Sequence, residues 1–169
     1  MKRILEVGPA INPMHHRYGD KLKDVDIDER ELQLEPDEYY TGLDQPIVDF
    51  NHRIWQAAKE TYGERVHFVH GDRADIPFED ESFDELVSLG SYANEGSNVS
   101  EFRRVLKPGG ILRLGVGAQN AQDVINTWGV RLKRLGFTFV EEQRQDYKYF
   151  GGKKHPGMDY VVLVFRKGS

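Results

Sequence analysis

The chain has 169 residues, 38% of them hydrophobic and 11% aromatic, which fits one globular domain with a sizeable core. It contains no cysteine, which excludes disulfides and thiolate metal sites, and no apolar run approaches the ~20 residues of a membrane-spanning helix. The net charge divides into −11 over residues 1–85 and +6 over residues 86–169, and the acidic half disfavours a broad nucleic-acid-binding surface. We therefore expect a single cytoplasmic domain over residues 1–169, without a membrane partner; the composition gives no indication of oligomeric state.

The first part of the chain predicts two strands joined by a long connection. A short buried strand over residues 3–7 ends at Gly8. The stretch 12–38 is polar and rich in acidic residues without a helical period, so it predicts a long loop, a kind of connection that is often functional. A second strand over residues 38–44 ends in Asp44.

A helix and a third strand follow. Pro46 suits the first turn of a helix, which Gly63 ends. The apolar residues of this helix recur at helical spacing: Ile47, Phe50, Ile54, Ala57, Ala58 and Tyr62. A strand over residues 65–70 then leads to Gly71 and Asp72.

The rest of the chain continues to alternate strands and helices. Strands are predicted over residues 83–89, 111–116, 137–143 and 159–166, helices over residues 97–106 and 120–135, and a turn over residues 107–110. Residues 160–165 are almost wholly apolar, so this strand should lie centrally, covered on both faces. The alternation implies right-handed crossovers and a mostly parallel sheet.

Residues that follow the strands are candidate ligand contacts, because open α/β sheets bind ligands beyond the carboxyl ends of their strands. Gly8 lacks a Cβ, so the backbone there can turn tightly and approach a ligand. Asp44 could accept hydrogen bonds from both hydroxyls of a ribose, or cap a helix. Asp72 could accept a hydrogen bond from an adenine amino group while the N–H of Arg73 donates to a ring nitrogen, or it could be an ordinary turn residue.

Two segments make this pattern specific: residues 70–84, HGDRADIPFEDESFD, and residues 101–110, EFRRVLKPGG. Together they resemble class I S-adenosylmethionine-dependent methyltransferases, most of all the branch that modifies small molecules. The resemblance covers residues 3–116 and extends more loosely to the end of the chain. It implies a Rossmann-like three-layer α/β sandwich with a seven-stranded, mostly parallel sheet, in which the antiparallel last strand, 160–166, lies beside the fifth.

The resemblance also implies S-adenosyl-L-methionine as the cofactor and S-adenosyl-L-homocysteine as its product. The implied cofactor-binding residues are Glu6, Gly8, Pro9, Ala10, Asp44, Gln45, Asp72, Arg73, Leu89 and Gly90. Those from Glu6 to Ala10 would hold the methionine portion, and Asp44 the ribose hydroxyls. Asp72 and the backbone N–H of Arg73 would bind adenine, and the last two residues would flank the adenosine and the sulfonium.

Two features depart from the family pattern. The turn after the first strand is poor in glycine, with Pro9 and Ala10 in place of the usual residues. The connection that leads to Asp44 is long and lacks the usual first helix. Asp26 and Asp28 are therefore alternative ribose ligands, although the order of the elements after Asp44 favours that residue.

The acceptor side has weaker signals, because methyl transfer from an activated sulfonium needs chiefly positioning. A general base is needed only for an acceptor that is protonated at the working pH. Tyr92 and Glu95 follow the fourth strand and could orient the acceptor or act as a base. His15 or His16 could also act as a base near neutral pH. Adjacent histidines do not share a face, so no metal site is predicted.

Residues 147–156 combine aromatic residues, glycines and cations between the last two strands. They could form a flap over an anionic or aromatic acceptor, or contact RNA through stacking and phosphate pairing. The leading hypothesis is an enzyme that methylates a small molecule. The alternatives are methylation of RNA or protein, and a cofactor-binding module without catalysis.

Overall fold

The computed structural model describes residues 1–10, 14–17, 31–89, 98–145, 149–150, 153–154 and 160–169. Its strands are β1 (Lys2–Val7), β2 (Glu38–Asp44), β3 (Val66–His70), β4 (Phe83–Ser88), β5 (Leu106–Gly117), β6 (Phe137–Gln145), β7 (Tyr149–Phe150), β8 (Lys153–Lys154) and β9 (Tyr160–Lys167). Its α-helices are α1 (Arg53–Tyr62), α2 (Val99–Val105) and α3 (Ala121–Arg134), and single 3-10 turns lie at His15–Arg17, Gly63–Arg65 and Ala118–Asn120.

Seven strands form one sheet in the order β3-β2-β1-β4-β5-β9-β6. β1 pairs in parallel with both β2 and β4, whereas β9 lies antiparallel between β5 and β6. The predicted α/β class, the mostly parallel seven-stranded sheet and the place of the antiparallel last strand are confirmed. The strand order reverses between β1 and β4, so the carboxyl ends of these strands form the switch point at which such folds bind ligands.

Apolar layers cover the two faces of the sheet. α2 and α3 cover one face, where Phe102 and Leu132 are fully buried. α1 covers the other face together with Met14 and Leu32, and Trp55 is its largest buried side chain. Side chains of β9 enter both layers, as its apolar sequence predicts. No helix in the described ranges is long and apolar enough to span a bilayer.

The first helix starts later than predicted. α1 begins at Arg53, and the residues around Pro46 form turns. The side chain of Asp49 accepts a hydrogen bond from the N–H of Asn51, and the ring of His52 caps the first turn of α1. Such local side-chain bonds compete with helical hydrogen bonding, which explains the delayed start.

The segment predicted as a turn at residues 107–110 is instead an irregular part of β5. The register between β4 and β5 shifts here, and Gly109 has a φ of +76°. A glycine in this conformation bends a strand without ending it. The sequence Lys-Pro-Gly-Gly therefore marks a bulge at the start of β5.

Candidate cofactor site

The turn after β1 is fixed by hydrogen bonds to β2 and α1. Gly8 has a φ of +73°, and its N–H donates to the carbonyl of Leu43 at 2.8 Å. Ala10 also has a positive φ, +46°, a conformation that is uncommon outside glycine. Its N–H donates to Oδ2 of Asp44 at 2.8 Å, and its carbonyl accepts from Nε1 of Trp55 at 3.0 Å. Ala10 is thus held on both sides of its Cα.

Asp44 ends β2, and 9% of its surface is exposed. Its Oδ1 accepts a hydrogen bond from the N–H of Gln45 at 2.8 Å, while Oδ2 accepts the one from Ala10. Each carboxylate oxygen can accept two hydrogen bonds. Beyond these backbone contacts, both oxygens can therefore still accept the hydroxyls of a ribose.

Glu6 lies buried beneath the turn, with 1% of its surface exposed. Its two oxygens accept from the N–H of Met14 at 2.8 and 3.0 Å, and Oε2 accepts from the hydroxyl of Tyr40 at 2.6 Å. Burial raises the pKa of Glu6 to about 8, although the bonds from Tyr40 and Met14 favour its charged form. Glu6 therefore holds the chain that follows the turn.

A second turn, after β3, lies beside the first. Asp72 is exposed, and its Oδ1 accepts from the N–H of Ala74 at 2.8 Å. The N–H of Gly71 donates to the carbonyl of Asp44 at 2.9 Å, which joins this turn to the end of β2. A Cβ on Gly71 would lie 2.7 Å from Cδ1 of the buried Leu43, so the second turn packs closely against the end of β2.

The loop that follows Asp72 is clamped by α2. Arg104 donates to the carbonyls of Ile76 and Phe78 at 2.8 and 2.7 Å, and to the carboxylates of Glu101 and Asp80. Glu101 in turn accepts from the N–H of Ile76 at 2.8 Å, and the hydrogen bond from Arg104 lowers the pKa of Glu101. This clamp explains physically why the two diagnostic segments occur together.

The structure brings the turn of residues 8–10, Asp44, Gln45 and the Asp72–Arg73 turn to one edge of the sheet. Leu89 is buried after β4. The predicted residues that lie outside the described ranges are Gly90, Tyr92, Glu95 and the alternatives Asp26 and Asp28.

The predicted acceptor-side histidines lie in the 3-10 turn after Met14. Burial, followed by the charge of Arg113, lowers the pKa of His16 to about 4, so this ring is neutral near pH 7. Of the predicted flap at residues 147–156, the described parts are the hairpin strands β7 and β8.

Sequence reasoning missed Trp55, Tyr40, Glu101 and Arg104. The co-occurrence of the segments at residues 70–84 and 101–110 was the available signal for Glu101 and Arg104. The sequence carried no signal for the hydrogen bonds of Trp55 and Tyr40, which join residues far apart in the chain.

The described donors and acceptors fit S-adenosylmethionine. The turn of residues 8–10 allows close backbone approach, Asp44 retains acceptor capacity for a ribose, and Asp72 exposes a carboxylate at the turn after β3. Together with the strand order and the inserted antiparallel strand, these are the features of a Rossmann-like methyltransferase.

Comparison with known proteins agrees with this class. Residues 11–114 match the family described as a methyltransferase domain, and the chain belongs to that family. The protein is thus an S-adenosylmethionine-dependent methyltransferase by family and fold.

Individual relatives extend the comparison. Demethylmenaquinone methyltransferase of Clavibacter sepedonicus is 46% identical over 75 residues, which cover 41% of this chain and 31% of that protein. The match thus spans less than a third of the relative's length. Among solved structures, the cyclase SpnF has a TM-score of 0.66 at 18% identity and covers 99% of this chain and 74% of its own. The 1,6-didemethyltoxoflavin-N1-methyltransferase of Burkholderia thailandensis, solved with bound 1,6-didemethyltoxoflavin and S-adenosylhomocysteine, has a TM-score of 0.61 at 15% identity. The match covers 99% of this chain and 71% of that chain.

Proposed function

We propose that this protein binds S-adenosylmethionine at the carboxyl edge of β1, β2 and β3 and transfers the methyl group to a small-molecule acceptor. The observation that carries the proposal is the link between Asp44 and Ala10, which places a carboxylate with remaining acceptor capacity directly against the turn after β1. Family membership supports methyl transfer. The names of two relatives, which refer to demethylmenaquinone and to 1,6-didemethyltoxoflavin, support a small-molecule acceptor.

In this proposal each part of the cofactor meets a different part of the edge. Backbone groups of residues 8–10 bind the methionine portion, and Glu6 acts on that portion through the segments it holds. Asp44 accepts the ribose hydroxyls beside Gln45. Asp72 and the N–H of Arg73 bind the adenine, and Leu89, after β4, flanks the adenosine and the sulfonium.

The cofactor supplies a methyl group that is already activated. The chain therefore needs to hold the cofactor and the acceptor, orient them towards each other and exclude water. Tyr92 and Glu95, after β4, and His15 remain the proposed acceptor-side residues, and Gly90 a proposed cofactor contact. A single domain over residues 1–169 and a cytoplasmic location belong to the same proposal.

The binding step is tested by calorimetry with S-adenosylhomocysteine. Asp44→Ala removes the carboxylate at the carboxyl end of β2, and Asp37→Ala, at the exposed turn before the same strand, is the matched control. We expect Asp44→Ala to weaken binding by about tenfold or more, because a charge-assisted contact is lost, and Asp37→Ala to leave it unchanged. A wild-type protein that takes up no S-adenosylhomocysteine would contradict the proposal.

The acceptor class is tested by supplying S-adenosylmethionine labelled in its methyl group to a cell extract and fractionating the products. Label in the low-molecular-mass fraction is expected. Label in RNA or protein would favour those substrates instead. Binding without any transfer would favour a module without methyl transfer, an outcome that the fold permits because folds do not fix function and one neighbour is a cyclase.

A further inference from the structure

We infer that Trp55 is a positioning residue for the turn of residues 8–10, which we call the cofactor turn. Its indole N–H and the carboxylate of Asp44 hold Ala10 in the left-handed conformation that a glycine-rich turn would adopt unaided. The inference rests on the proposed function for its effect on the cofactor. It assigns a binding role to a core tryptophan that does not itself touch the ligand.

The backbone conformation of Ala10 needs support from outside the turn. Its φ of +46° is one that an L-residue with a Cβ rarely adopts, so alanine needs an external cause to remain there. Both of its peptide groups are engaged from outside the turn, the N–H by Asp44 and the carbonyl by Trp55. The two bonds come from different elements, β2 and α1, and together they define the orientation of the residue.

The indole of Trp55 is held rigidly by the rings around it. Trp55 is fully buried, stacks on Tyr40 with a centroid distance of 6.3 Å, and meets Phe68 and Phe50 edge-on at 4.7 and 5.7 Å. Rings packed on several sides fix the direction of its N–H. A buried indole N–H needs an acceptor, and here the acceptor is the carbonyl of Ala10.

The hydrogen bond from Trp55 to Ala10 lies next to the proposed ribose ligand. The carbonyl that Trp55 holds belongs to the residue whose N–H occupies Oδ2 of Asp44, the proposed ribose ligand. Release of the turn would therefore displace both the backbone that faces the methionine portion and the carboxylate. Displacements on the order of 1 Å are enough to weaken a preorganised site severely.

The variant Trp55→Phe keeps an aromatic ring and removes the N–H donor. The matched control is Trp128→Phe on α3, because Trp128 is the other of the two tryptophans and packs against the opposite face of the sheet. Three quantities are measured for both: the Kd of S-adenosylhomocysteine, the temperature of unfolding, and the hydrogen-exchange protection of the Ala10 amide without ligand.

We expect Trp55→Phe to raise the Kd about fivefold to twentyfold and to reduce protection of the Ala10 amide, with Trp128→Phe within about twofold of wild type in Kd. A purely structural role would lower the unfolding temperature of both variants without these two changes. Adding Ala10→Gly to Trp55→Phe should recover part of the affinity, because glycine adopts a positive φ without external support.

Unchanged amide protection in Trp55→Phe would overturn the inference, as would an unchanged Kd in a variant whose parent binds the ligand. If Trp55→Phe does not fold, hydrogen exchange of the Trp55 indole N–H is measured in the wild-type protein; protection of this N–H is expected, and exchange as fast as that of a solvent-exposed indole would overturn the inference. If the wild type binds no ligand, the proposed function fails, and the exchange measurement still decides the role of Trp55.

Discussion

Glu6 and Glu38 are two buried carboxyls at opposite edges of the sheet that both bind the connection between β1 and β2, but their partners differ in charge. Glu6, at the carboxyl edge of the sheet, accepts hydrogen bonds from two neutral donors in the part of the chain that the structure describes, the N–H of Met14 and the hydroxyl of Tyr40. Burial consequently dominates and raises the pKa of Glu6 to about 8.

Glu38 begins β2 at the amino edge and meets cations. Arg17 binds it through two hydrogen bonds of 2.6 and 2.8 Å, and Lys2 lies 3.1 Å away. Burial alone would raise the pKa of Glu38, but the hydrogen bonds from Arg17, from the N–H of Glu35 and from Lys2 outweigh it and lower the pKa to about 2.

The two edges therefore differ in role. The ion pairs of Glu38 at the amino edge form an anchor for the connection, whereas the carboxyl edge is the proposed cofactor site. At the amino edge, compensated charges fix the connection and contribute to stability. At the carboxyl edge, the donors to Glu6 among the described residues are neutral, and this carboxyl holds Met14 in the chain that follows the turn of residues 8–10.

Breaking the anchor should have the largest effect. Arg17→Met leaves the buried Glu38 with its weaker partners, and we expect a loss of about 2–3 kcal/mol in the free energy of unfolding at neutral pH. Urea denaturation measures the loss. The wild-type contribution is present above pH 4.5 and disappears as the pH falls toward the folded pKa of about 2, so the difference between the proteins should narrow in acid.

The control for this variant is Arg144→Met, which removes an exposed pair with Glu142 at 3.6 Å. An exposed pair contributes little, so the expected loss is below about 0.5 kcal/mol. Equal losses in both variants would contradict the role of Glu38 as an anchor.

The carboxyl edge should respond to pH with the opposite sign. Glu6 binds its proton more tightly in the folded state, so its contribution to stability falls as the pH rises from 4.5 to about 8. Glu6→Gln does not titrate, and relative to wild type it should gain about 1–2 kcal/mol in the free energy of unfolding between about pH 6 and pH 8. Denaturation curves at several pH values measure the gain, and parallel pH profiles of the two proteins would exclude the raised pKa.

The clamp that Arg104 forms on the loop after Asp72 should affect cofactor binding more than stability, if adenine binds at Asp72 as proposed. Arg104→Met frees the loop of residues 76–80, and we expect about fivefold to tenfold weaker binding of S-adenosylhomocysteine by calorimetry. Arg103→Met is the neighbouring control, because the exposed Arg103 donates from Nε to the carbonyl of Leu135. Equal affinities of the two variants would remove Arg104 from the account of the site.

The smallest effect is expected from Ala10→Gly in the wild-type background. Relief of the positive φ and the greater freedom of glycine in the unfolded chain oppose each other, so the free energy of unfolding should change by less than about 1 kcal/mol. Thermal unfolding measures the change. A much larger loss would show that Ala10 contributes through its side chain and not through its conformation.

The alternation of strands and helices was enough to predict a mostly parallel α/β sheet, whereas the antiparallel last strand beside the fifth followed from the resemblance to class I methyltransferases. The start of α1 was not predictable from Pro46, since the competing turn depends on bonds from Asp49 and His52. The convergence of the residues after β1, β2 and β3 at one edge was predictable, because the carboxyl ends of parallel strands meet there.

What holds that edge in place was not predictable from the sequence. The bonds from Trp55 to Ala10 and from Tyr40 to Glu6 join residues 45 and 34 positions apart. Contacts at such separations follow from how the layers pack and leave no local pattern. The acceptor side, around Tyr92 and Glu95, therefore remains a prediction.

The most direct test of the central claim is a crystal structure of the protein with S-adenosylhomocysteine. We expect the ribose hydroxyls to lie within hydrogen-bond distance of the Asp44 carboxylate. The methionine portion should lie against residues 8–10, with the bond from Trp55 to Ala10 intact. A ligand bound elsewhere, or a ribose that does not touch Asp44, would contradict it.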